Sequence, residues 1–133
     1  MSDEKSPRAV VLKFVKTINE HDPDALARLM TKDHVFVDSL GRSFKGREEM
    51  RKGWLQYFDL FADYKITITD AFEKHGSVAL FGTARGTHVN RSSSKKTKWE
   101  VPAAWKAVVS KGLVSEWRVF ADNYETMKLV IGS

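Results

Sequence analysis

Two aspartates stand at the ends of apolar segments, where an acid could move protons. Asp38 ends the segment 34–38, HVFVD, and Asp122 ends the segment 117–122, WRVFAD. A carboxyl group in an apolar pocket can have a raised pKa, which suits it to general acid/base chemistry. Each also has a purely structural interpretation. Asp38 could hold the turn that follows it, and Asp122 could pair with a basic neighbour or cap the two residues after it. Asp38 and Asp122 are therefore the candidate catalytic residues.

Other nucleophiles and ligand sets are missing from the sequence pattern. The chain has no cysteine, which excludes disulfides and thiol chemistry. Its histidines show neither the i, i+4 spacing of a helical metal site nor a His-x-His pair on a strand. The serine run 92–94 lacks the glycine-flanked elbow of a hydrolase nucleophile, and no glycine-rich loop could hold phosphate. The sequence therefore predicts no metal and no cofactor.

Aromatic residues recur along the chain, and most would belong to the core of any compact domain. If the fold leaves a cavity, some of them must line it. Such a lining would favour a flat or cyclic apolar ligand over a sugar or a phosphate. The candidate ligand-binding residues are Phe14, Phe36, Trp54, Tyr57, Phe58, Trp105 and Trp117.

Three helical segments are predicted in the first half of the chain. Ser6-Pro7 and Asp22-Pro23 each combine a capping side chain with a proline at the first helical position. The third helix follows Gly46 and has two glutamates near its start, which suit the positive end of the helix dipole. Apolar residues recur at helical spacing, which predicts one buried stripe per helix: Val11, Phe14, Val15 and Ile18; then Leu26, Leu29 and Met30; then Met50, Trp54, Tyr57, Phe58 and Phe61.

From Tyr64 onward the apolar period changes to two residues, which is typical of strands. Polar turns at 75–77, 90–96 and 110–112 separate four antiparallel strands, the last running to about residue 124. With a further strand at 34–38, the pattern predicts one α+β domain over residues 1–133. Its curved antiparallel sheet would wrap around the N-terminal helices as a cone. The wide end of such a cone is a natural cavity.

Composition and charge exclude several classes of partner. The hydrophobic share of 42% and charged share of 29% are ordinary for a soluble globular protein. No apolar window approaches the roughly 18 residues that cross a bilayer, and the polar N-terminus lacks the apolar segment of a secretory signal. We therefore expect a cytoplasmic protein without membrane contact. The net charge is +5. The segment 85–111 is rich in basic residues and has Glu100 as its single acidic residue. Such a loop is typically solvated, and nucleic acid ranks last among the partners.

The order of elements and several local segments resemble the nuclear-transport-factor-2-like superfamily, in particular its SnoaL-like branch. The resemblance covers nearly the whole chain. It rests on Asn19 before the segment 21–24, and on the segments 26–29, 34–38, 46–50 and 112–118. It implies a conical fold, or cystatin-like roll, with a pocket between sheet and helices, and frequent homodimers. It does not imply one activity, because isomerases, hydrolases, cyclases and binding modules share this fold.

The resemblance to ketosteroid isomerases supports Asp38 as a general base, but it does not extend to the two side chains that assist that base. Asp38 is similar in position to the general base of those enzymes, which hold the developing oxyanion with a tyrosine and a protonated aspartate. The corresponding positions here are Phe14 and about Ala104. Neither side chain can donate a hydrogen bond, so the electrostatic contribution that dominates such catalysis is missing.

Two other enzyme branches match in part. Limonene-epoxide-hydrolase-like enzymes place an acid where the last strand here has Val119. SnoaL-type cyclases use a late-strand aspartate, for which Asp122 is the nearest match. Alternate residues of a regular strand share a face, and only one face can line a cavity. The two faces are Arg118, Phe120 and Asp122 against Trp117, Val119 and Ala121.

We therefore predict a protein that binds an apolar cyclic small molecule of unknown identity, and two alternatives follow. In the first, Asp38 or Asp122 acts as the acid/base of an isomerase, cyclase or dehydratase. In the second, the domain is a non-catalytic binding module or a dimeric scaffold. We expect a homodimer formed through the exposed sheet face, which an open antiparallel sheet must cover or keep polar.

Overall fold

The computed structural model describes residues 6–131, in which four helices accompany one six-stranded sheet. Helices α1 and α2 precede the first strand, α3 lies between the second and third strands, and α4 ends the described chain. The elements are α1 (Pro7–Asn19), α2 (Pro23–Arg28), β1 (Met30–Val37), β2 (Ser43–Lys45), α3 (Arg47–Leu60), β3 (Lys65–Lys74), β4 (Ser77–Val89), β5 (Lys96–Ser110), β6 (Leu113–Ala121) and α4 (Tyr124–Ile131).

The sheet has the order β2-β1-β6-β5-β4-β3. Strands β3 to β6 form an antiparallel meander, as predicted. Strand β1 pairs parallel to β6, and the short β2 pairs antiparallel to β1. The predicted α+β architecture, with a curved sheet around the N-terminal helices, is confirmed. Two elements were not predicted, namely β2 and the helix α4.

The helix starts follow from local capping. Ser6 Oγ accepts a hydrogen bond from the amide of Ala9 at 3.1 Å, and Asp22 Oδ1 accepts one from Ala25 at 3.0 Å. These bonds satisfy amides that have no partner within the first turn of a helix. Both helices have proline near the first position, so each capping pair acts as the sequence predicts.

The turn between α1 and α2 is fastened to the edge of strand β3. The side-chain amide of Asn19 donates to the carbonyl of Ile66 at 2.9 Å and accepts from its amide at 2.8 Å. His21 Nε2 donates to the carbonyl of Tyr64 at 2.7 Å, because a carbonyl oxygen only accepts. Asn19 therefore replaces a neighbouring strand at this point, and α1 is held across the sheet.

The two faces of the sheet have different environments. On β6, Trp117, Val119 and Ala121 turn inward toward the helices, and Trp117 is fully buried. On β5 the inward residues include Trp105, which is opposite Val119 in the register. The core therefore lies on one face, between the sheet and the helices α1 and α3.

Candidate ligand-binding cavity

A cavity of about 580 Å³ lies between the inner face of the sheet, α3 and α4. A volume of this order is typical of small-molecule sites. Helix α3 supplies one wall, strands β1, β4, β5 and β6 supply another, and α4 covers one side. The deeper lining is largely apolar: Phe36, Met50, Trp54, Tyr57, Phe61, Tyr64, Ala84, Trp99, Ala103, Trp105, Trp117, Val119, Ala121, Met127 and Val130.

All four tryptophans of the chain line this cavity. Trp105 and Trp117 stack in the sheet wall with ring centroids 6.2 Å apart. Opposite them, Trp54 on α3 contacts Phe36 edge-on at 6.0 Å and Tyr57 at 6.0 Å. The rings therefore present flat faces and edges on facing walls, which suits a planar guest.

The position of the fourth tryptophan, Trp99, depends on the glycine at position 86. A Cβ atom at Gly86 would lie 2.8 Å from the ring of Trp99, which is closer than side chains pack. Gly86 on β4 is opposite Trp99 on β5, so the missing side chain lets the indole lie against the strand. Trp99 in turn contacts Phe61 at 5.1 Å and completes the aromatic lining. The glycine within a strand thus marks a close approach, as its position in the sequence indicates.

Asp38 lies in the cavity lining, at the mouth, and both oxygens of its carboxylate accept hydrogen bonds from the turn that follows it. Oδ1 accepts from the amides of Leu40 and Arg42, each at 2.9 Å, and Oδ2 accepts from Arg42 Nε at 2.7 Å. Only 18% of the Asp38 side chain is exposed, against 60% for Arg42. Asp38 therefore holds the turn that follows it, as its structural interpretation predicts. It also contacts the cavity.

The electrostatics of this turn keep Asp38 ionised. Burial raises the pKa of the carboxyl group. The hydrogen bonds from Arg42 and Leu40 and the charge of Arg42 outweigh this effect, so the pKa lies below its usual value of 3.8. A carboxylate with a depressed pKa is a weak base, and proton abstraction by Asp38 would first require Arg42 to release it.

Asp122 lies outside the cavity lining. It is exposed, and its Oδ1 accepts from the amide of Tyr124 at 3.2 Å, at the start of α4. The inward face of β6 is the one with Trp117, Val119 and Ala121, so strand parity directs the position after Ala121 away from the cavity. The acid that resembles the cyclase residue therefore lies just before helix α4 and accepts a hydrogen bond from its first amide.

Five of the seven predicted ligand-binding residues line the cavity, namely Phe36, Trp54, Tyr57, Trp105 and Trp117. The other two are packed elsewhere. Phe14 is fully buried against His34 and Trp117, and Phe58 stacks on His21 with centroids 4.4 Å apart. Both lie on the helix faces that hold α1 and α3 to the rest of the domain.

Several lining residues lie outside the predicted set. Trp99 could have been found from the glycine opposite it, and Tyr64 from the start of the alternating pattern. The residues of α4 carry no such signal, because the pattern predicts a strand that runs to about residue 124 and no helix after it. The additional lining residues include Arg42, Tyr64, Trp99, Thr126, Met127 and Val130.

Helix α4 covers one side of the cavity and is tied to the mouth. Asn123 Nδ2, just before the helix, donates to Ser39 Oγ at 3.0 Å. Ser39 follows Asp38, so the turn that holds Asp38 also anchors the start of α4. Thr126, Met127 and Val130 then face the cavity from this helix.

The buried histidines do not belong to the cavity. His34 Nδ1 donates to the carbonyl of Val114 at 2.7 Å. Burial lowers the pKa of His34, against smaller opposing effects of Val114, Asp33 and Glu116. His34 and His88 are both absent from the lining. Among residues 6–131, no three His, Asp or Glu side chains come together as a metal site would require.

The model of the SnoaL-like domain family matches residues 11–122 of the chain. The chain belongs to the SnoaL-like domain family. The resemblance inferred from the sequence is thereby confirmed. No curated protein matches this SnoaL-like domain in sequence.

Solved structures share the fold at low sequence identity. A protein described as a SnoaL-like polyketide cyclase from Shewanella denitrificans OS-217 has a TM-score of 0.82 and 14% identity, covering 96% of this chain and 98% of its own. The epoxide hydrolase/cyclase-like enzyme SalBIII, in pyran ring formation in polyether salinomycin, has a TM-score of 0.76 and 21% identity, covering 92% and 95%. A protein with a ketosteroid isomerase-like fold from Catenulispora acidiphila DSM 44928, in complex with trimethylamine, has a TM-score of 0.70 and 20% identity, covering 84% and 83%. At such identities the similarity of this SnoaL-like domain shows the fold alone.

Within residues 6–131, no helix of this SnoaL-like domain is long and apolar enough to cross a bilayer.

Proposed function

We propose that this SnoaL-like domain binds a flat, largely apolar ring system in the cavity between α3 and the sheet. The observation that carries the proposal is the convergence of all four tryptophans on one space of about 580 Å³. A soluble fold needs aromatic residues in its core, but it does not need them around an opening. Fold relatives include one in complex with trimethylamine and one with a role in pyran ring formation, which supports a small molecule as the ligand.

Binding ranks ahead of acid/base catalysis in this proposal. Asp38 contacts the cavity, which favours a proton-transfer reaction as the second candidate. Its three hydrogen bonds and lowered pKa make it a poor base in the state described here. Turnover of an isomerase, cyclase or dehydratase substrate would require a rearrangement of the Arg42 turn when the ligand enters.

The test is titration with 2-acetylnaphthalene, a flat two-ring probe, while the indole N–H signals are followed by NMR. Each tryptophan contributes one such signal, and all four should shift or broaden because every indole lines the cavity. Ala103→Phe would place a ring in the cavity and should abolish the response, since Ala103 lines it. The matched control is Ala62→Phe, because Ala62 is exposed and absent from the lining. Unchanged indole signals at saturating probe would overturn the proposal.

We also propose that the domain forms a homodimer through the outer face of its sheet. Phe81, Ala104 and Phe120 are directly opposite one another on β4, β5 and β6. Phe72 on β3 contacts Phe81 at 6.1 Å and extends this outer aromatic row. The three phenylalanines are 62% (Phe72), 45% (Phe81) and 49% (Phe120) exposed. Contiguous apolar patches of this kind are typical of protein interfaces, and a second copy supplies a matching surface.

A further inference from the structure

Helix α4 buries less apolar surface than the other walls of the cavity. On its outer side, Tyr124 is 67% exposed and Ile131 is 79% exposed. Toward the cavity, Met127 and Val130 are only half-buried. Helix α3 and the sheet instead contribute tryptophans such as Trp54, which is 5% exposed. The hydrophobic effect therefore holds α4 in place only weakly, since it scales with the apolar area buried.

The length of α4 makes it depend on the surface beneath it. The helix has eight residues, and a helix shorter than about 12 residues is marginal in water by itself. Lys128 pairs with Glu125 at 3.5 Å and lies 5.0 Å from the ring of Tyr124. These are exposed contacts within the helix, and such contacts contribute little to stability. We therefore expect α4 to open locally while the sheet stays folded.

A side-chain hydrogen bond fastens the start of α4 to the cavity mouth. Asn123 Nδ2 donates to Ser39 Oγ at 3.0 Å. The backbone carbonyl of Asn123 accepts from the amide of Met127 at 2.7 Å, in the first turn of the helix. Ser39 follows Asp38, whose three accepted hydrogen bonds hold the turn at the mouth. Asn123 therefore joins the first turn of α4 to a turn that is itself held in place.

We propose that α4 is a lid that opens to admit the ligand, closes over it and is latched by the hydrogen bond from Asn123 to Ser39. Because Thr126, Met127 and Val130 line the cavity, a bound ligand contacts the closed lid and stabilises it. This inference rests on the proposed function and adds the control of ligand entry to it.

A lid and a fixed wall predict different kinetics. If the ligand passes through the open state, a weaker latch raises the association and dissociation rate constants by the same factor. The dissociation constant then stays the same, because the latch is present both with and without the ligand. If α4 is a fixed wall, a weaker contact speeds dissociation and lowers affinity, while association is unchanged.

The first test removes the latch. Association and dissociation of 2-acetylnaphthalene are followed by stopped-flow measurement of tryptophan emission. Asn123→Ala should raise both rate constants about fivefold, as the loss of one hydrogen bond provides, with an unchanged dissociation constant. The matched control is Asn90→Ala, which removes amide contacts in an exposed loop outside the lining and should change neither rate constant.

The second test closes the latch covalently. The chain has no cysteine, so the variant Ser39→Cys/Asn123→Cys offers two thiols that a reversible bis-methanethiosulfonate reagent can join. The cross-linked protein should bind and release the probe about tenfold or more slowly, because lid opening limits both steps. Reduction with dithiothreitol should restore both rate constants. The control is Asn90→Cys/Ser92→Cys, whose native side chains are also hydrogen-bonded, at 2.7 Å, and whose cross-link should have no effect.

The possible results separate the lid from the proposed function. Binding of the probe with rate constants that neither Asn123→Ala nor the cross-link changes would overturn the lid and leave the proposed function standing. Weaker binding of Asn123→Ala with unchanged association would also overturn it, because a fixed wall behaves in this way. If the probe did not bind at all, the proposed function itself would fail.

A third measurement needs neither a variant nor a ligand. In native-state hydrogen exchange, the amide of Met127 on α4 should exchange much faster than the amide of Ala107, which is fully buried on β5. Local opening exposes the first amide without the second. Equal exchange at the two positions would mean that α4 opens only when the whole domain unfolds, and it would overturn the inference.

Discussion

Asp38 holds the turn at the cavity mouth because it receives three hydrogen bonds from the residues that follow it. An acid in this arrangement stabilises the folded chain as a carboxylate, and the same bonds reduce its value as a base. The position at the end of a strand was visible in the sequence. The engagement of both oxygens was not, because it depends on how Leu40 and Arg42 fold back.

The lowered pKa of Asp38 predicts how stability depends on pH. A carboxyl group whose folded pKa is depressed contributes stability that is present above the unfolded pKa and is lost as pH falls through the folded pKa. Wild-type protein should therefore be more stable than Asp38→Asn above about pH 4, since the usual pKa is 3.8. The difference should shrink as pH falls below that value. Urea unfolding of both proteins from pH 7 to pH 3 measures it.

The control for this prediction is Asp59→Asn, on the exposed side of α3. An exposed acid outside such a turn should change stability much less. If Asp38→Asn were as stable as wild type at pH 7, the turn would not depend on the carboxylate.

At the junction of α1 with strand β3, the side chain of Asn19 makes the hydrogen bonds that a neighbouring strand would make. Asn19 pairs with both backbone groups of Ile66, and buried backbone groups rarely remain without partners. Together with the bond from His21 to Tyr64, this joins the α1–α2 turn to the start of strand β3.

Asn19→Ala should lower the free energy of unfolding by about 2 kcal/mol, because two backbone groups lose their partner. Urea unfolding followed by circular dichroism measures the change. The matched control is Asn90→Ala, which removes amide contacts to Ser92 and Ser93 in an exposed loop and should cost much less. Equal losses in the two variants would show that the edge of β3 does not need Asn19.

The elements that the sequence predicted are those with local causes. The cap-proline pairs at Ser6 and Asp22, and the alternation after Tyr64, act within a few residues. The sequence pattern extends the last strand to about residue 124 and so does not predict helix α4, whereas in the structure Asp122 accepts a hydrogen bond from the amide of Tyr124, the first residue of that helix. The edge-to-face contact of Tyr57 with Tyr64, whose ring centroids are 4.8 Å apart, could not be predicted either, since the two rings meet only after α3 ends and the chain turns into β3.

At the scale of the whole molecule, the sheet separates two aromatic surfaces. The inner face lines the cavity, and the outer face has the row of Phe81, Ala104 and Phe120. Strand parity predicts the two sets, but it cannot say which set faces inward, because that depends on where the helices pack.

The homodimer proposal predicts a dimer for the wild-type protein in sedimentation velocity. Phe81→Lys places a charge at the centre of the outer row and should produce monomers, because the charge would be buried without a partner. The control is Val89→Lys, which lies on the same strand and face but at its far end, and should leave the dimer intact. A monomeric wild-type protein would contradict the proposal, as would dissociation by both variants.

The convergence of the tryptophans has a practical consequence for anyone who follows this protein optically. Its entire tryptophan emission comes from the walls of one chamber. A change in that emission therefore signals water entering or leaving the chamber, whether or not the sheet has melted. Thermal scans by fluorescence and by far-ultraviolet circular dichroism should therefore be recorded together. If water entered the chamber before the strands separated, the two scans would give different midpoints for one molecule.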